Sequence, residues 1–268
     1  MTDLVQEDIS DTFHLASNNP IATKRFYAGQ RANYSARVAA LYQEQFADPL
    51  EAEAAVKLPK AYQDIDKTLA ASIIDRRSSR DFSDAPMSLE EVATIAFLAC
   101  GVQGGNNKSE AHRNVPNSGG LGSVELSLIV QNVTGLTPGI YVYDSVRHWL
   151  VPKSYGVYRQ WILRDLFYQS ELSACATAFC LAVNMRRLKS KYGTRGYRLG
   201  LLDAGHVSQN INLVAAALGL AVCPSAGYID SEFNRALKID GLATTAVLSV
   251  LVGKMNPMQS FDSESDAS

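Results

Sequence analysis

Two apolar, β-branched runs, Val124 to Val133 and Ile140 to Tyr143, are separated only by the breaker segment Thr134-Gly135-Leu136-Thr137-Pro138-Gly139. Each run reads as a strand, and a connection this short reads as a hairpin with a long loop rather than a helical crossover. An antiparallel pair is therefore built into the middle of the chain. Around it, Ala176 to Asn184 and Thr245 to Val252 read as further apolar strands, and Tyr197 to Leu218 as a helix closed by Gly219. Ser88-Leu89-Glu90-Glu91 offers an N-cap and an acidic first turn for a helix through Ala99, with Gly101 after it. Leu69, Ala70 and Ile73 recur at helical spacing within Asp64 to Asp75, as do Tyr34, Val38, Leu41, Tyr42 and Phe46 before Pro49 and Pro59 break the pattern. Gly104-Gly105-Asn106-Asn107 is a turn-rich insertion. Strands interspersed with helices and joined by hairpin-like connections predict a mixed α+β domain, not a doubly wound sheet.

Composition bounds what such a domain can do. With 47% hydrophobic and 19% charged residues, most of the 268-residue chain is expected to fold, as one domain over 12–258. Residues 1–11 and the acidic tail 259–268 are too poor in apolar side chains to stay ordered alone, and 12–64 reads as an amino-terminal helical extension. A net charge of −2 supplies no general cationic surface for nucleic acid. Four scattered cysteines make no disulfide scaffold, and the acidic amino terminus makes no signal peptide. No apolar stretch reaches the roughly 18 residues of a membrane span. The expectation is a soluble cytoplasmic protein. Neither G-x-G-x-x-G nor a P-loop nor G-x-S-x-G occurs, and the histidines form no metal-ligating cluster.

Four blocks could carry chemistry. Arg76-Arg77-Ser78-Ser79-Arg80-Asp81-Phe82 concentrates guanidiniums and hydroxyls suited to an anionic ligand, but equally suits a helix C-terminus whose cations complement the macrodipole. Val115-Pro116-Asn117-Ser118-Gly119-Gly120 lets backbone approach a flat ligand closely, although a simple turn would look the same. Lys191-Tyr192-Gly193-Thr194-Arg195-Gly196-Tyr197-Arg198, with Arg186, Arg187 and Lys189 upstream, reads as an exposed basic loop, a nucleic-acid loop, or a lysine and tyrosine placed for proton transfer. Within the last helix, Asp203, His206 and Asn210 share one face beside an apolar stripe, so they are expected to be hydrogen-bonded inside the protein, His206 as a satisfied interior histidine.

In this order the four blocks resemble the nitroreductase superfamily, and specifically its SagB-type branch, the flavin-dependent azoline dehydrogenases of thiazole- and oxazole-modified peptide biosynthesis. The resemblance runs through RRSSRDF, PNSGG, GLTPGIYVYD, SKYGTRGYR, LLDAGHVSQN and GLAVCPSAGY to Val252-Gly253-Lys254, nearly the whole chain. It implies an intertwined α+β homodimer, with a central, mainly antiparallel sheet flanked by helices, holding FMN at the subunit interface. Arg76, Ser78 and Arg80 correspond to an R-x-S-x-R that contacts the flavin phosphate, ribityl chain and pyrimidine edge. Pro116, Asn117, Ser118 and Gly119 match a P-S-x-G turn reaching the isoalloxazine from the partner subunit, with Asn117 in place of the usual residue. Pro224, Ser225, Ala226 and Gly227 match a P-x-x-G segment whose amides approach flavin N5, and Lys254 is expected to help with phosphate. Lys191 and Tyr192 match the branch's catalytic pair, Tyr192 as base and Lys191 as its electrostatic support.

The implied reaction removes a proton and a hydride from adjacent carbons of a thiazoline or oxazoline ring in a peptide, with molecular oxygen as final electron acceptor and a cyclodehydratase as possible partner. One departure stands out: after the glycine pair the family commonly has a small residue, then Leu-Tyr-Pro and a Glu, where this chain has Leu121-Gly122-Ser123-Val124-Glu125 and loses the Tyr and Pro. A different substrate-facing edge is the expected consequence. Two alternatives remain open: an NAD(P)H-dependent nitro or quinone reductase on the same fold, and a noncatalytic or RNA-binding subunit.

Overall fold

A computed structural model describes residues 9–18, 54–59, 65–103 and 112–257. The expected helix at 34–46, the insertion at 104–107 and the acidic tail lie outside the described residues.

The hairpin forms as the sequence requires. β4 (Val124–Val130) and β5 (Gly139–Asp144) pair antiparallel, Ser127 opposite Val142 and Val130 opposite Gly139. They sit inside a seven-stranded sheet of order β1-β6-β5-β4-β7-β9-β8, antiparallel at every pairing. The other members are β1 (Val56–Lys57), β6 (Trp149–Tyr155), β7 (Thr177–Asn184), β8 (Leu220–Ser225) and β9 (Thr244–Lys254). A small two-stranded ribbon, β2 (Val102–Gln103) with β3 (His112–Arg113), stands apart from the main sheet. β4 and β7 are buried on both faces, which is why their sequences read as unbroken apolar runs rather than alternating ones.

Both faces are covered. On one, α3 (Leu89–Cys100) and α5 (Gly196–Ala217) bury Val92, Ile95, Ala96, Val207 and Ile211 against Leu128, Phe179 and Val250. On the other, Ile162, Leu166, Phe233 and Leu237 pack on Ile129, Ile140 and Ala178. α3 starts in the capping box its sequence announces: Ser88 Oγ accepts from Glu91 N at 3.1 Å, and Glu91 Oε2 accepts from Ser88 N at 2.8 Å. α5 ends at Gly219, whose φ of +69° suits glycine. α2 (Leu69–Asp75) begins only at its Thr68 N-cap.

Several elements were not legible in the pattern. β6 carries Pro152, which the sheet admits because β1 pairs only with Trp149 and Leu150 and a bulge lies opposite. β8 carries Pro224 and is an edge strand, where a missing N–H is tolerated. α4 (Met185–Tyr192) occupies part of the stretch read as a basic loop; Asn184 caps it, its Oδ1 accepting from Arg187 N at 3.0 Å. α6 (Asp230–Leu237) buries only Phe233 and Leu237. At the amino end α1 (Ile9–Ala16) begins within the segment expected to be loose, and β1 puts a strand into the extension read as helical. α1 is held by Thr194 Oγ1 donating to Ala16 O at 3.2 Å, Arg198 Nε donating to Ser17 Oγ at 2.7 Å, and Phe13 packed edge-on to Tyr197.

Candidate functional site

The sequence blocks come together as two groups. The first gathers at the start of α5. Folding Lys191 and Tyr192 into the last turn of α4 sets them beside the Ser118–Gly120 turn that precedes β4. Contact is close: a Cβ built on Gly119 would lie 2.5 Å from Lys191 Nζ and closer than 3.0 Å to Tyr192 Oη. Any larger residue would push the ends of those two side chains aside, and the φ of +63° is one that glycine adopts without strain. Lys191 Nζ lies 5.2 Å from the centre of the Tyr192 ring, within cation–π range. Burial lowers the Lys191 pKa from its ordinary value.

Asp203 of α5, 3% exposed, sits behind the turn. It accepts from Ser118 N at 3.1 and 3.0 Å, from Ser118 Oγ at 2.9 Å and from Ser123 Oγ at 3.2 Å. Asn117 Oδ1 accepts from Gly122 N at 2.9 Å, closing the turn on itself. Asn210 reaches the carbonyls of Leu98, Ala99 and Asn114, so this part of the polar row is satisfied internally as expected. His206 is not: it is exposed, which corrects the interior reading, because the helix turns that position outward between buried Asp203 and Val207.

The second group lies along the free edge of the sheet. Ser79 N donates to Val222 O at 2.9 Å and Ser83 N to Lys254 O at 2.9 Å, laying the R-S-S-R segment beside β8 and the end of β9. Arg77 Nη1 donates to Ile74 O at 2.6 Å and Arg76 O at 3.0 Å, so the helix-terminus reading holds for that one guanidinium. Among the described residues, no hydrogen bond or ion pair holds the Arg76 guanidinium or the Ser78 hydroxyl. Arg80 lies against the Cys223 thiol, partly offsetting the upward push of burial on it. At the end of β8, Gly227 N donates to Ser225 Oγ at 3.2 Å and Gly227 O accepts from Tyr168 N at 3.0 Å. The Ala226 amide is left without a partner among the described residues. Lys254, expected at a phosphate, is ion-paired to the Glu91 carboxylate that caps α3.

Asp203, Ser123 and Arg187 were not singled out from sequence as members of the site. Only the placement of Asp203 on a shared helix face hinted at it. Arg187 is 2% exposed and donates through Nη1 to Gly122 O at 2.7 Å, and Arg198 is committed to α1. The basic stretch is therefore not one continuous exposed surface. Among the described residues no cluster of metal-ligating side chains occurs, and no helix is long and apolar enough to cross a membrane.

Antiparallel sheet, flanking helices and these blocks together define an oxidoreductase fold, and comparison places it: residues 73–254 match the nitroreductase family, and the chain belongs to it. Proteins of this family generally bind FMN. The nitroreductase-family protein MJ1384 of Methanocaldococcus jannaschii is 30% identical over 167 residues, 62% of this chain and 82% of that protein. The microcin B17-processing protein McbC of Escherichia coli is 31% identical over 81 residues, 30% of this chain and 29% of McbC. In three dimensions the chain resembles one in the E. coli microcin synthetase McbBCD complex with truncated pro-MccB17 bound, at a TM-score of 0.59 and 21% identity, covering 92% of each. At that identity the likeness is one of fold.

Proposed function

We propose that the chain is an FMN-dependent dehydrogenase that oxidises thiazoline or oxazoline rings to thiazole or oxazole in a ribosomally made peptide. The observation that carries this reading is the meeting of Lys191, Tyr192 and Gly119 at one point. The relative's name as a microcin-processing protein, and the peptide bound in the McbBCD complex, support a peptide substrate and partner subunits such as a cyclodehydratase.

The residues present fit the flavin. Arg76 and Ser78, uncommitted among the described residues, and Arg80 beside them would hold the phosphate and ribityl chain. Ala226, whose amide has no described partner, is the donor in Pro224–Gly227 free to meet the ring. The glycine cradle at Gly119 would face the ring of the partner subunit's flavin, Pro116, Asn117 and Ser118 shaping it. Bound FMN supplies a two-electron acceptor for a hydride, with oxygen downstream. Everything else falls to side chains. Tyr192 takes the proton from the ring carbon, a step in which a positioned base is worth about 10²–10⁴-fold, and Lys191 stabilises the phenolate this requires. Dimerisation is supported by a bare apolar surface, since α2 and α5 pack together yet leave Leu69, Ile73, Ile74, Leu201 and Leu202 exposed.

The test is the visible spectrum of the purified protein, the chromophore it releases, and then turnover of azoline peptides. Yellow protein releasing FMN, with oxidation cut about 10²–10⁴-fold in Lys191→Ala and Tyr192→Phe while flavin stays bound, is the expected result. Oxidation at the unmutated rate in both variants would sink the reading. Bleaching of the flavin by NADPH would instead favour the nitro or quinone reductase reading, which the MJ1384 likeness keeps in play.

A further inference from the structure

We infer that Asp203 is a positioning residue for Lys191 and Tyr192, acting on them through the Ser118–Gly120 turn. Its catalytic consequence rests on the dehydrogenase reading; its structural consequence does not.

Among the described residues, the hydrogen bonds to the Asp203 carboxylate come from Ser118 in the turn and from Ser123, three residues beyond it, some 80 to 85 positions away in sequence. Ser118 N–H opens a short helical turn and has no partner within it, so the carboxylate caps the turn from outside. The next residue is Gly119, about 3.8 Å away from Cα to Cα, and it is the point of contact with Lys191 Nζ and Tyr192 Oη. Whatever sets Ser118 therefore sets how hard the turn presses on the pair.

The same loop is held from the other side. Arg187, on the helix that carries the pair, donates to Gly122 O at 2.7 Å. Asp203 on α5 and Arg187 on α4 thus clamp one loop between them. Behind it, among Cys100, Arg113, Pro116, Asn117 and Asp203, the packing leaves a cavity of only about 10 Å³. That is room for about one water molecule.

The experiment is hydrogen exchange by mass spectrometry on the full-length flavin-loaded protein, with steady-state oxidation of an azoline peptide alongside. In Asp203→Ala, exchange is expected to rise about tenfold in the peptides spanning 115–122 and 188–195 together. kcat is expected to fall about 10- to 100-fold with KM within about threefold, as for a misplaced rather than a missing catalytic group. Asp203→Asn keeps an acceptor oxygen for Ser118 and should recover most of both. In a Tyr192→Phe background the Asp203→Ala change should cost less than about twofold more, since both act on one interaction. Exchange that rises in 115–122 alone, or kinetic losses that multiply, would overturn the inference. Should Asp203→Ala not fold, Ser123→Ala removes one of the bonds and must loosen both peptides in smaller measure. If the unmutated protein oxidises no azoline, the dehydrogenase reading fails while the exchange data still decide the role of Asp203.

Discussion

Replacing Gly119 by alanine should injure catalysis far more than stability. The added Cβ would sit 2.5 Å from Lys191 Nζ, against the 3.4 Å at which ordinary contact begins, so one side must move by about 1 Å. The turn is pinned by the bonds to Asp203, so the movement falls on the lysine and tyrosine. A 1 Å misplacement of reacting groups costs about 10²-fold in rate, equivalent to about 2.7 kcal/mol. The backbone contribution is smaller: a residue with a Cβ at φ +63° costs about 1–2 kcal/mol, or a Tm lower by roughly 2–8 °C for a chain of this size. Gly120 separates the two effects, because its φ is +70° and a Cβ there would meet nothing within 4 Å. Gly120→Ala should match Gly119→Ala in thermal unfolding and fall well short of it in lost turnover. Turnover is read by mass spectrometry as the loss of two hydrogens per ring, normalised to bound flavin. Equal losses in the two variants, or a Gly119→Ala enzyme within about threefold of the parent, would refute the contact argument.

Other expectations follow from charge and burial. Lys254→Met leaves the Glu91 carboxylate, buried at the α3 cap, without its ion-pair partner; stability should fall by about 1–3 kcal/mol in chemical denaturation, and Glu91→Gln in the same chain should restore much of it. His148 bonds Tyr143 Oη at 2.8 Å and Pro59 O at 3.0 Å, and burial lowers its pKa from the ordinary 6.5. Because the folded state resists protonation there, this contribution is complete above about pH 6.5 and lost as pH falls below it. His148→Asn, which tolerates the φ of +59°, should flatten that part of a stability–pH curve. If Lys191 must be charged, the alkaline limb of kcat should come below the ordinary lysine value of 10.5, and Lys191→Arg should push it upward out of range. All four cysteines are buried, with burial raising Cys100 to about 11 and Cys175 to about 12, so a thiol reagent at pH 8 should react only after denaturation.

The sheet's centre was readable because β4, β7 and β9 are long apolar runs with clear breakers, and α3 and α5 because their caps are local chemistry. β6, β8 and α6 were not, since each takes its stability from one neighbour or a few buried residues. β6 and β8 each carry a proline, which a strand admits where it lacks a partner, as the sheet shows for both. The site followed the same division. The motifs around Arg76, Gly119 and Lys191 could be found by type and spacing and that around Pro224 only through the resemblance, whereas Asp203 and Arg187 act across 65 to 85 residues of chain, a distance that no local pattern encodes. Lys254, which the resemblance sets at a phosphate, is paired with Glu91 from 163 residues away, again a contact no local pattern encodes.

The departure at Ser123-Val124-Glu125 takes on a different meaning once folded. Ser123 is fully buried and bonds Asp203, while its carbonyl accepts from Asn184 N at 2.8 Å. Glu125 accepts from Asn184 Nδ2 at 3.2 Å and faces Arg187 at 3.8 Å, and burial raises its carboxyl pKa in spite of that cation. Such a pair, too far apart for a strong bond and taken out of water, adds little to stability. Its effect is geometric: together with the bond from Arg187 to Gly122 O, it ties the first residues of β4 to the first turn of α4, about one turn before Lys191 and Tyr192. Ser123 and Val124 are buried within the chain and Glu125 is half-buried. A chain with Tyr-Pro here has no Ser123 hydroxyl for Asp203, and must seat its lysine and tyrosine by other bonds. Variation at these positions is therefore variation in how the pair is held, and grafting Tyr-Pro at Ser123 and Val124 should change kcat before it changes which ring is bound.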